Sequence, residues 1–499
     1  MAKRITAFSL ALAPRPARMA AGRWLYSSLR AEILEGRLRP GGRLPATRDL
    51  ARQYRLSRGT IVTAFEQLKS EGYMEARVGS GTFVARILPD DLLLARKQAV
   101  PPAAIEPGPR PLSGYAVRVR PFPELGQRPI RAFRANQPAL DLFPAQLWAQ
   151  VSSRRLRQVT TRLLEGCPPG GYPPLREAVA EYLGTARGVH CVPEQVVILS
   201  GVQEALDLAA RLFLNPGDPV AMEDPGYIGA TLVFEALGAR IRTVHPDEEG
   251  MRPGAGLRGA RLVYVTPAHQ FPVGVSMSLA RRLALLEWAR KEGALIFEDD
   301  YDSEYRYSGR PIPALQGLDR HGLVLFAGSF SKVLFPSLRL GYLVVPPDLV
   351  DRFLAAESVT NRHAPLLEQA VLCDFMVGGH FGRHVRRMRE VYAERLSVLL
   401  QSAAERLAGL VEVSGVEAGL QTVGWLAPGL SSESAASAAL ARRVEVTPLQ
   451  RYARGRLARE GLHLGFAAVD TQEIRRGVRD LAAALETPTL SRTAGRPRT

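Results

Sequence analysis

Two stretches of this chain set reactive side chains where a small molecule would meet them. Ala294-Leu-Ile-Phe297 is an apolar run that ends in Glu298-Asp-Asp-Tyr-Asp-Ser-Glu304, the pattern of a buried parallel strand with carboxylates gathered at its C-terminal end. Leu323-Val-Leu-Phe-Ala327 reads as a second such strand and feeds Gly328-Ser-Phe-Ser-Lys332. In open α/β sheets ligands bind beyond the carboxyl ends of the strands, so the acids and the lysine are expected to face one crevice.

The lysine narrows the chemistry. Only five of the 65 basic residues are lysine: Lys3, Lys69, Lys97, Lys291 and Lys332. A guanidinium stays protonated and forms no imine, so an amine is what arginine cannot supply. Lys291 adjoins Glu292 at the end of an amphipathic helix, a surface position. Lys332 is therefore the candidate Schiff-base lysine for pyridoxal phosphate (PLP), a cofactor that also needs an acid at its ring nitrogen and a cradle for its phosphate. In an extended segment Asp299 and Tyr301 share a face, which suits Asp299 to the ring nitrogen and Tyr301 to the ring hydroxyl. Ser329, Ser331 and Arg339 lie within reach of the phosphate. On spacing alone, the competing reading is a lysine kept for a buried ion pair with the acid cluster.

Glu298-Asp-Asp-Tyr-Asp-Ser-Glu304, Gly328-Ser-Phe-Ser-Lys332, Pro336-Ser-Leu-Arg-Leu-Gly-Tyr342 and Val265-Thr-Pro-Ala-His-Gln-Phe-Pro-Val-Gly274 together resemble the MocR subfamily of GntR-type transcriptional regulators. The resemblance covers roughly residues 8 to 86 and 130 to 483. It implies an α/β fold class: an N-terminal winged helix-turn-helix plus the large and small domains of a PLP-dependent, fold-type-I aminotransferase. The domains implied are a DNA-binding domain over 8–86, a Pro-rich linker over 87–130, an aminotransferase class I/II-like PLP-binding domain over 131–485 and a disordered tail over 486–499.

Length and charge agree with that division. A chain of 499 residues exceeds one hydrophobic core. Its net charge of +16 is concentrated at the front, where residues 1–86 carry 16 Lys/Arg against 6 Asp/Glu. A basic small domain ahead of a near-neutral large one points to nucleic acid as the partner, ahead of a membrane surface. Cys167, Cys191 and Cys373 are scattered without metal spacing, so neither a disulfide framework nor a metal site is expected. No apolar run reaches membrane-spanning length.

Leu25, Leu29 and Ile33 form the stripe of a first amphipathic helix. Thr47 is the expected cap of a second helix and Ser57 of a third, in which Ile61, Phe65 and Leu68 face inward. Tyr73–Arg77 and Thr82–Ala85 flank Gly79-Ser80-Gly81, a two-stranded wing with a glycine turn. Arg48, Ser57, Arg58 and Thr60 sit at helix starts that would meet phosphates and base edges, and Arg77 with the wing backbone would reach the minor groove. Where the family often has Asn after Ser-Arg, this chain has Gly59.

Residues 87–130 are proline-rich with little periodicity and read as a tether. As a flexible coil of about 44 residues it spans on the order of 35–40 Å, comparable with one turn of DNA. Beyond it, strands and helices alternate as in a mostly parallel sheet. Gly201, Val202 and Gln203 lie between a strand and a helix, where amides can take a phosphate. The resemblance makes them the phosphate loop, and it implies that Tyr227 stacks on the pyridine ring. His269 and Gln270 fall on the loop that approaches the ring oxygen and substrate in this fold; a structural histidine is the equal alternative.

Three positions depart from the family. The substrate-carboxylate arginine of the fold is replaced by His463, a second arginine found in amino-acid-responsive relatives is Gly229, and Gly166-Cys-Pro168 stands where Tyr-Gly-Asp is common. A bidentate guanidinium is the best holder of an α-carboxylate, so an ordinary amino-acid substrate is weakly supported. The resemblance implies a regulator that binds PLP as a Lys332 aldimine, senses an amine or amino-acid effector, and binds a double-stranded DNA operator as a homodimer in the bacterial cytoplasm, nucleoid-associated when DNA-bound. The alternative is an active aminotransferase with a DNA-binding appendage. A third reading, a DNA-binding dimer without cofactor, conflicts with retention of Lys332, Asp299, Tyr301 and Arg339.

Overall fold

The computed structural model describes residues 10–17, 19–77, 80–89, 110–123, 129–309 and 312–492. The chain divides into two compact units between Arg110 and Pro111.

In the first unit, helices α1 (Ala21–Leu34), α2 (Thr47–Tyr54) and α3 (Arg58–Ser70) precede strands β1 (Met74–Arg77) and β2 (Gly81–Val84). Leu25, Leu29 and Ile33 are buried with Leu50, Ile61, Phe65 and Leu68, because residues four apart lie on one face of a helix. Ser57 caps α3 by accepting the Thr60 amide at 3.1 Å. Thr47 is not the cap of α2. That position is Ala46, whose side chain offers no acceptor, because Ala46 stays extended and Thr47 already has helical geometry; Asp49 in the first turn supplies the favourable negative charge instead. The two strands pair antiparallel, Met74 opposite Val84 and Arg77 opposite Gly81.

The second unit opens on helix α4 (Gly114–Arg118), whose cap Ser113 accepts the Ala116 amide at 3.1 Å. The expected tether is therefore structured near its C-terminal end. Then follow β3 (Val196–Leu199), α5 (Val202–Phe213), β4 (Pro219–Glu223), α6 (Ile228–Leu237), β5 (Arg240–Val244), β6 (Leu262–Val265), β7 (Leu295–Asp300), β8 (Val324–Ser329) and β9 (Gly341–Val344). They build one seven-stranded sheet in the order β3-β9-β8-β7-β6-β4-β5. Pairings from β8 through to β5 are parallel, and β9 runs antiparallel to both β8 and β3. Helices cover both faces, so the strands are apolar throughout; Phe297 and Phe326 are fully buried, each worth roughly 1.5–3 kcal/mol. Parallel pairing sets Asp299 beside Ala327 and Asp300 beside Gly328, which brings the acid cluster and the Ser329–Lys332 loop to the same sheet edge.

A smaller lobe follows: helix α7 (His380–Arg406), strands β10 (Val411–Val413), β11 (Gln421–Leu426), β12 (Thr447–Pro448) and β13 (Gly461–Gly465), and helix α8 (Thr471–Arg492). The strands form an antiparallel sheet in the order β10-β11-β13-β12. The tail expected from residue 486 instead continues α8 to Arg492. Ile474, Val478, Leu481 and Leu485 bury one stripe of that helix, and tertiary packing of such a stripe carries helices past their weak ends. Residues 493–499 lie outside the described residues.

Candidate functional site

At the carboxyl edge of the large sheet lies a cavity of about 260 Å³. The end of β7 contributes Asp299 and Tyr301, and the turn after β8 contributes Ser329, Ser331 and Lys332. The Lys332 Nζ donates to the Asn136 carbonyl at 2.7 Å. Burial lowers the Lys332 pKa to about 8, against the pull of Asp302 and Asp299, because a desolvated ammonium is costly. The amine is thus within reach of its neutral, nucleophilic form near physiological pH.

Asp299 is held from one side only. Tyr264, in the middle of β6, donates its hydroxyl to Oδ2 at 2.6 Å, while Oδ1 is buried without a partner among the described residues. Burial raises the carboxyl to about 7; the Tyr264 hydrogen bond opposes this, Asp300 and Asp302 add to it, and Lys332 opposes it. The Tyr301 hydroxyl lies 3.1 Å from Nδ1 of His269. His269 does not line the cavity. It stacks behind Tyr301, ring centroids 5.8 Å apart, and Nδ1 is 3.1 Å from both carboxylate oxygens of Asp302. A Cβ on Gly419 would collide with its imidazole, so a close backbone approach fixes the ring one layer back. Gln270, also buried, donates to the carbonyls of Pro225 and Phe271 at 2.9 and 2.7 Å.

The far end of the cavity suits an anion. Gly201 (φ +134°) caps α5, and the first-turn amides of Val202 and Gln203 have no helical acceptor. The guanidinium of Arg339 lies beside Gly201 and has no ion-pair partner among the described residues. Ser329 Oγ accepts the Ser331 amide at 3.1 Å. Tyr227 caps α6 and donates its hydroxyl to Gln203 Oε1 at 3.1 Å; Gln203 Nε2 donates to the Gly229 carbonyl at 3.0 Å. A Cβ at position 229 would strike both Gln203 and the Tyr227 ring. Glycine at that departure is therefore demanded by local packing.

The second departure is also packed away. His463 is fully buried on β13, with Nδ1 3.3 Å from the Tyr452 hydroxyl and Nε2 unpartnered among the described residues. Burial, reinforced by His269 and Lys332, pushes its pKa down to about 3. It is a neutral imidazole at working pH and offers no charge to a carboxylate.

Four cavity residues were not legible in the sequence: Phe122, Asn136, Tyr264 and Phe271 as a wall. Tyr264 carried one usable signal, since a tyrosine hydroxyl inside an apolar strand must find a partner.

In the front unit, Arg48, Ser57, Arg58 and Arg77 are exposed, and Thr60 is half-buried. Ser57 Oγ is committed to the helix cap and lies 2.8 Å from Thr60 Oγ1. Arg77 lies over the Phe83 ring at 4.8 Å. Ser80 and Gly81 are exposed at the wing turn, and Gly79 lies outside the described residues. Among the described residues no cluster of three or more His, Cys, Asp or Glu is arranged to hold a metal ion, and no helix is long and apolar enough to cross a membrane.

Residues 131–481 match the aminotransferase class I and II family, and residues 23–84 match the gntR family of bacterial regulatory proteins. The chain is 40% identical over 464 residues to the probable rhizopine catabolism regulatory protein MocR of Rhizobium meliloti, covering 93% of each chain. The chain belongs to the MocR subfamily of GntR-type transcriptional regulators. An HTH-type regulator of Bacillus subtilis, YhdI, is 33% identical over 92% of this MocR-type chain and 94% of its own. Among solved structures, the α-aminoadipate aminotransferase LysN of Thermus thermophilus, crystallised with N-(5'-phosphopyridoxyl)-L-leucine, superposes with a TM-score of 0.68 at 31% identity, over 76% of this chain and 98% of its own.

The cofactor of this MocR-type fold is PLP, and the cavity fits it. The orphaned Asp299 Oδ1 needs a donor such as a protonated ring nitrogen, Arg339 and the α5 amides suit an anion, and a desolvated lysine amine lines the same cavity. Asp299 and Lys332 are desolvated groups whose burial is compensated only by partners of that kind, while Arg339 is an exposed guanidinium at the cavity's other end.

Proposed function

We propose that this regulator holds PLP through Lys332 Nζ and that an amine or amino-acid effector, taken up in the same cavity, alters how the winged helix-turn-helix binds its DNA operator. The observation that carries the reading is the joint lining of one cavity by Lys332, Asp299 and Arg339. When bound, PLP supplies an electrophilic carbon that takes up primary amines. Asp299 Oδ1 would accept the ring N–H, Tyr301 would donate to the ring oxygen, and Tyr227 would cover one ring face. Ser329, Ser331, Arg339 and the amides of Gly201, Val202 and Gln203 would hold the phosphate. His269 would orient Tyr301 from behind. Arg48, Arg58, Thr60, Arg77, Ser80 and Gly81 would face DNA, with Ser57 presenting the recognition helix through its cap. Aminotransferase-like folds of this class build their pocket in a homodimer, and we place the protein as a dimer in the cytoplasm.

The test is the visible spectrum of the purified protein with PLP, before and after borohydride, across a panel of amines and amino acids. Fixation of the cofactor to Lys332, with a spectral shift by one amine and altered operator affinity, is expected. Absence of any protein-bound chromophore would overturn the proposal. Sustained keto-acid release would instead favour the aminotransferase reading, which the likeness to LysN supports.

A further inference from the structure

Helix α4 and the residues after it do not merely lead into the large unit. Between Tyr115 and Phe122 they lie along α5 and α6, and their contacts form a graded series. The Arg211 guanidinium lies over the Tyr115 ring, 5.9 Å from its centroid. Arg118 Nε donates to the Ala236 carbonyl at 3.2 Å, at the C-terminal end of α6 where the helix dipole favours a cation. Gly238 gives this guanidinium its space: it has φ +80°, and a Cβ there would meet Arg118 Cζ at 2.9 Å. Arg120 pairs with Glu235, a carboxylate that Arg454 also engages at 2.6 Å. Two residues on, Phe122 reaches the cavity and its ring lies 6.3 Å from that of Tyr227. A single helix, α6, thus carries the cavity-facing Tyr227 at its start and the seat for Arg118 and Arg120 at its end.

Phe122 differs in kind from the other walls. Tyr264, Asp299 and Lys332 belong to the central strands and the turns between them, inside the core. Phe122 is half-buried between exposed Pro121 and Pro123, and the Arg120 side chain that anchors it is 65% exposed. Exposed ion pairs contribute little to stability, and segments with few buried contacts open first. A ligand that needs more room than the cofactor alone will therefore displace this wall before any other.

From this we infer that Phe122 is a specificity-determining wall of the ligand cavity and that residues 111–123 form a strap that bulky effectors unseat. The inference rests on the cofactor reading above and adds what that reading lacks, a part of the chain outside the aminotransferase-like core that responds to occupancy. Small primary amines fit beneath Phe122 and leave the strap seated. Amines with a ring or branched body compete with the Phe122 ring for the space in front of Tyr227.

The test uses the full-length, PLP-loaded protein with methylamine and benzylamine as probes. Hydrogen exchange of the 111–123 amides is followed by mass spectrometry, and amine affinity by the visible spectrum. Benzylamine is expected to accelerate exchange in 111–123 and methylamine to leave it unchanged. Phe122→Ala is expected to bind benzylamine about tenfold more tightly, with a much smaller change in methylamine affinity and Phe122→Leu intermediate. Arg120→Ala, which loosens the strap without touching the cavity, is expected to move benzylamine affinity in the same direction by less. Normal PLP loading with no change in exchange and equal benzylamine affinity in the wild-type and Phe122→Ala proteins would overturn the strap alone. Failure of the wild-type protein to load PLP would overturn the cofactor reading and the strap with it.

Discussion

Tyr264 donates its hydroxyl to Asp299 Oδ2 at 2.6 Å, and Oδ1 of the same buried carboxylate has no partner among the described residues. The bond does two things. It fixes the carboxylate plane, so that Oδ1 is aimed, and it favours the ionised form against a burial that raises the carboxyl to about 7. Hydrogen bonds to charged groups are worth about 1.5–3 kcal/mol. Tyr264→Phe is therefore expected to weaken PLP binding about tenfold or more while leaving the fold intact, since only the hydroxyl is removed. Cofactor titration by fluorescence quenching measures this. Equal affinity in the two proteins would show that Asp299 is oriented by something else.

Lys332 gives a pH dependence with a definite sign. Burial lowers its pKa from 10.5 to about 8, so the amine is deprotonated above about pH 8, not above its ordinary value. The rate of PLP attachment is expected to rise between about pH 7 and 9 and then level off. The same shift acts on stability. Between about pH 8 and 10.5 the unfolded chain binds the extra proton, so this group makes the apoprotein more stable as pH rises through that window. Lys332→Met removes both effects, and stopped-flow absorbance with thermal melts across pH reads them separately.

His463 titrates far from its usual range, and the sign is again fixed. A pKa lowered from 6.5 to about 3 means that the unfolded chain takes up a proton between those values while the folded one does not. Stability therefore rises with pH from about 3 to 6.5 on account of this ring. Its imidazole resonances are expected to stay constant from pH 5 to 8, and His463→Leu is expected to blunt acid unfolding. A His463 that titrates near pH 6.5 would mean that the ring is wet and available to an anionic ligand.

The large sheet, the acid cluster and Lys332 could be read from the sequence because their signal is local. Apolar runs ending in Glu298–Glu304 and in Gly328–Lys332 state both the strand and the edge it reaches. What stayed hidden depends on distant pairings. Asn136 meets Lys332 from 196 residues away, and Phe122 sits between two prolines in a stretch with no periodicity. The loop that carries His269 leaves a cavity residue and a structural histidine equally open; the close approach of Gly419 that holds it behind Tyr301 is a fact of packing. Thr47 failed as a cap for a local reason, a one-residue shift in where the helix begins.

In the winged helix, the exposed arginines divide by position along their helices. Arg58 opens α3, whose first turn is the part of a recognition helix that meets base edges, whereas Arg48 lies in the first turn of α2, which crosses the backbone. Arg58→Ala is then expected to cost about 1–3 kcal/mol on operator DNA and much less on random DNA. Arg48→Ala is expected to weaken both alike and to reduce the salt slope by about 1. Lys332→Ala should leave both affinities unchanged when cofactor and effector are absent, because the proposed coupling to DNA runs through the cavity's occupants. Fluorescence anisotropy over a salt series, with operator DNA selected in vitro by the wild-type protein, separates the three variants. Equal losses on operator and random DNA for Arg58→Ala would reassign that arginine to the phosphate backbone and move base reading to Thr60 or the wing.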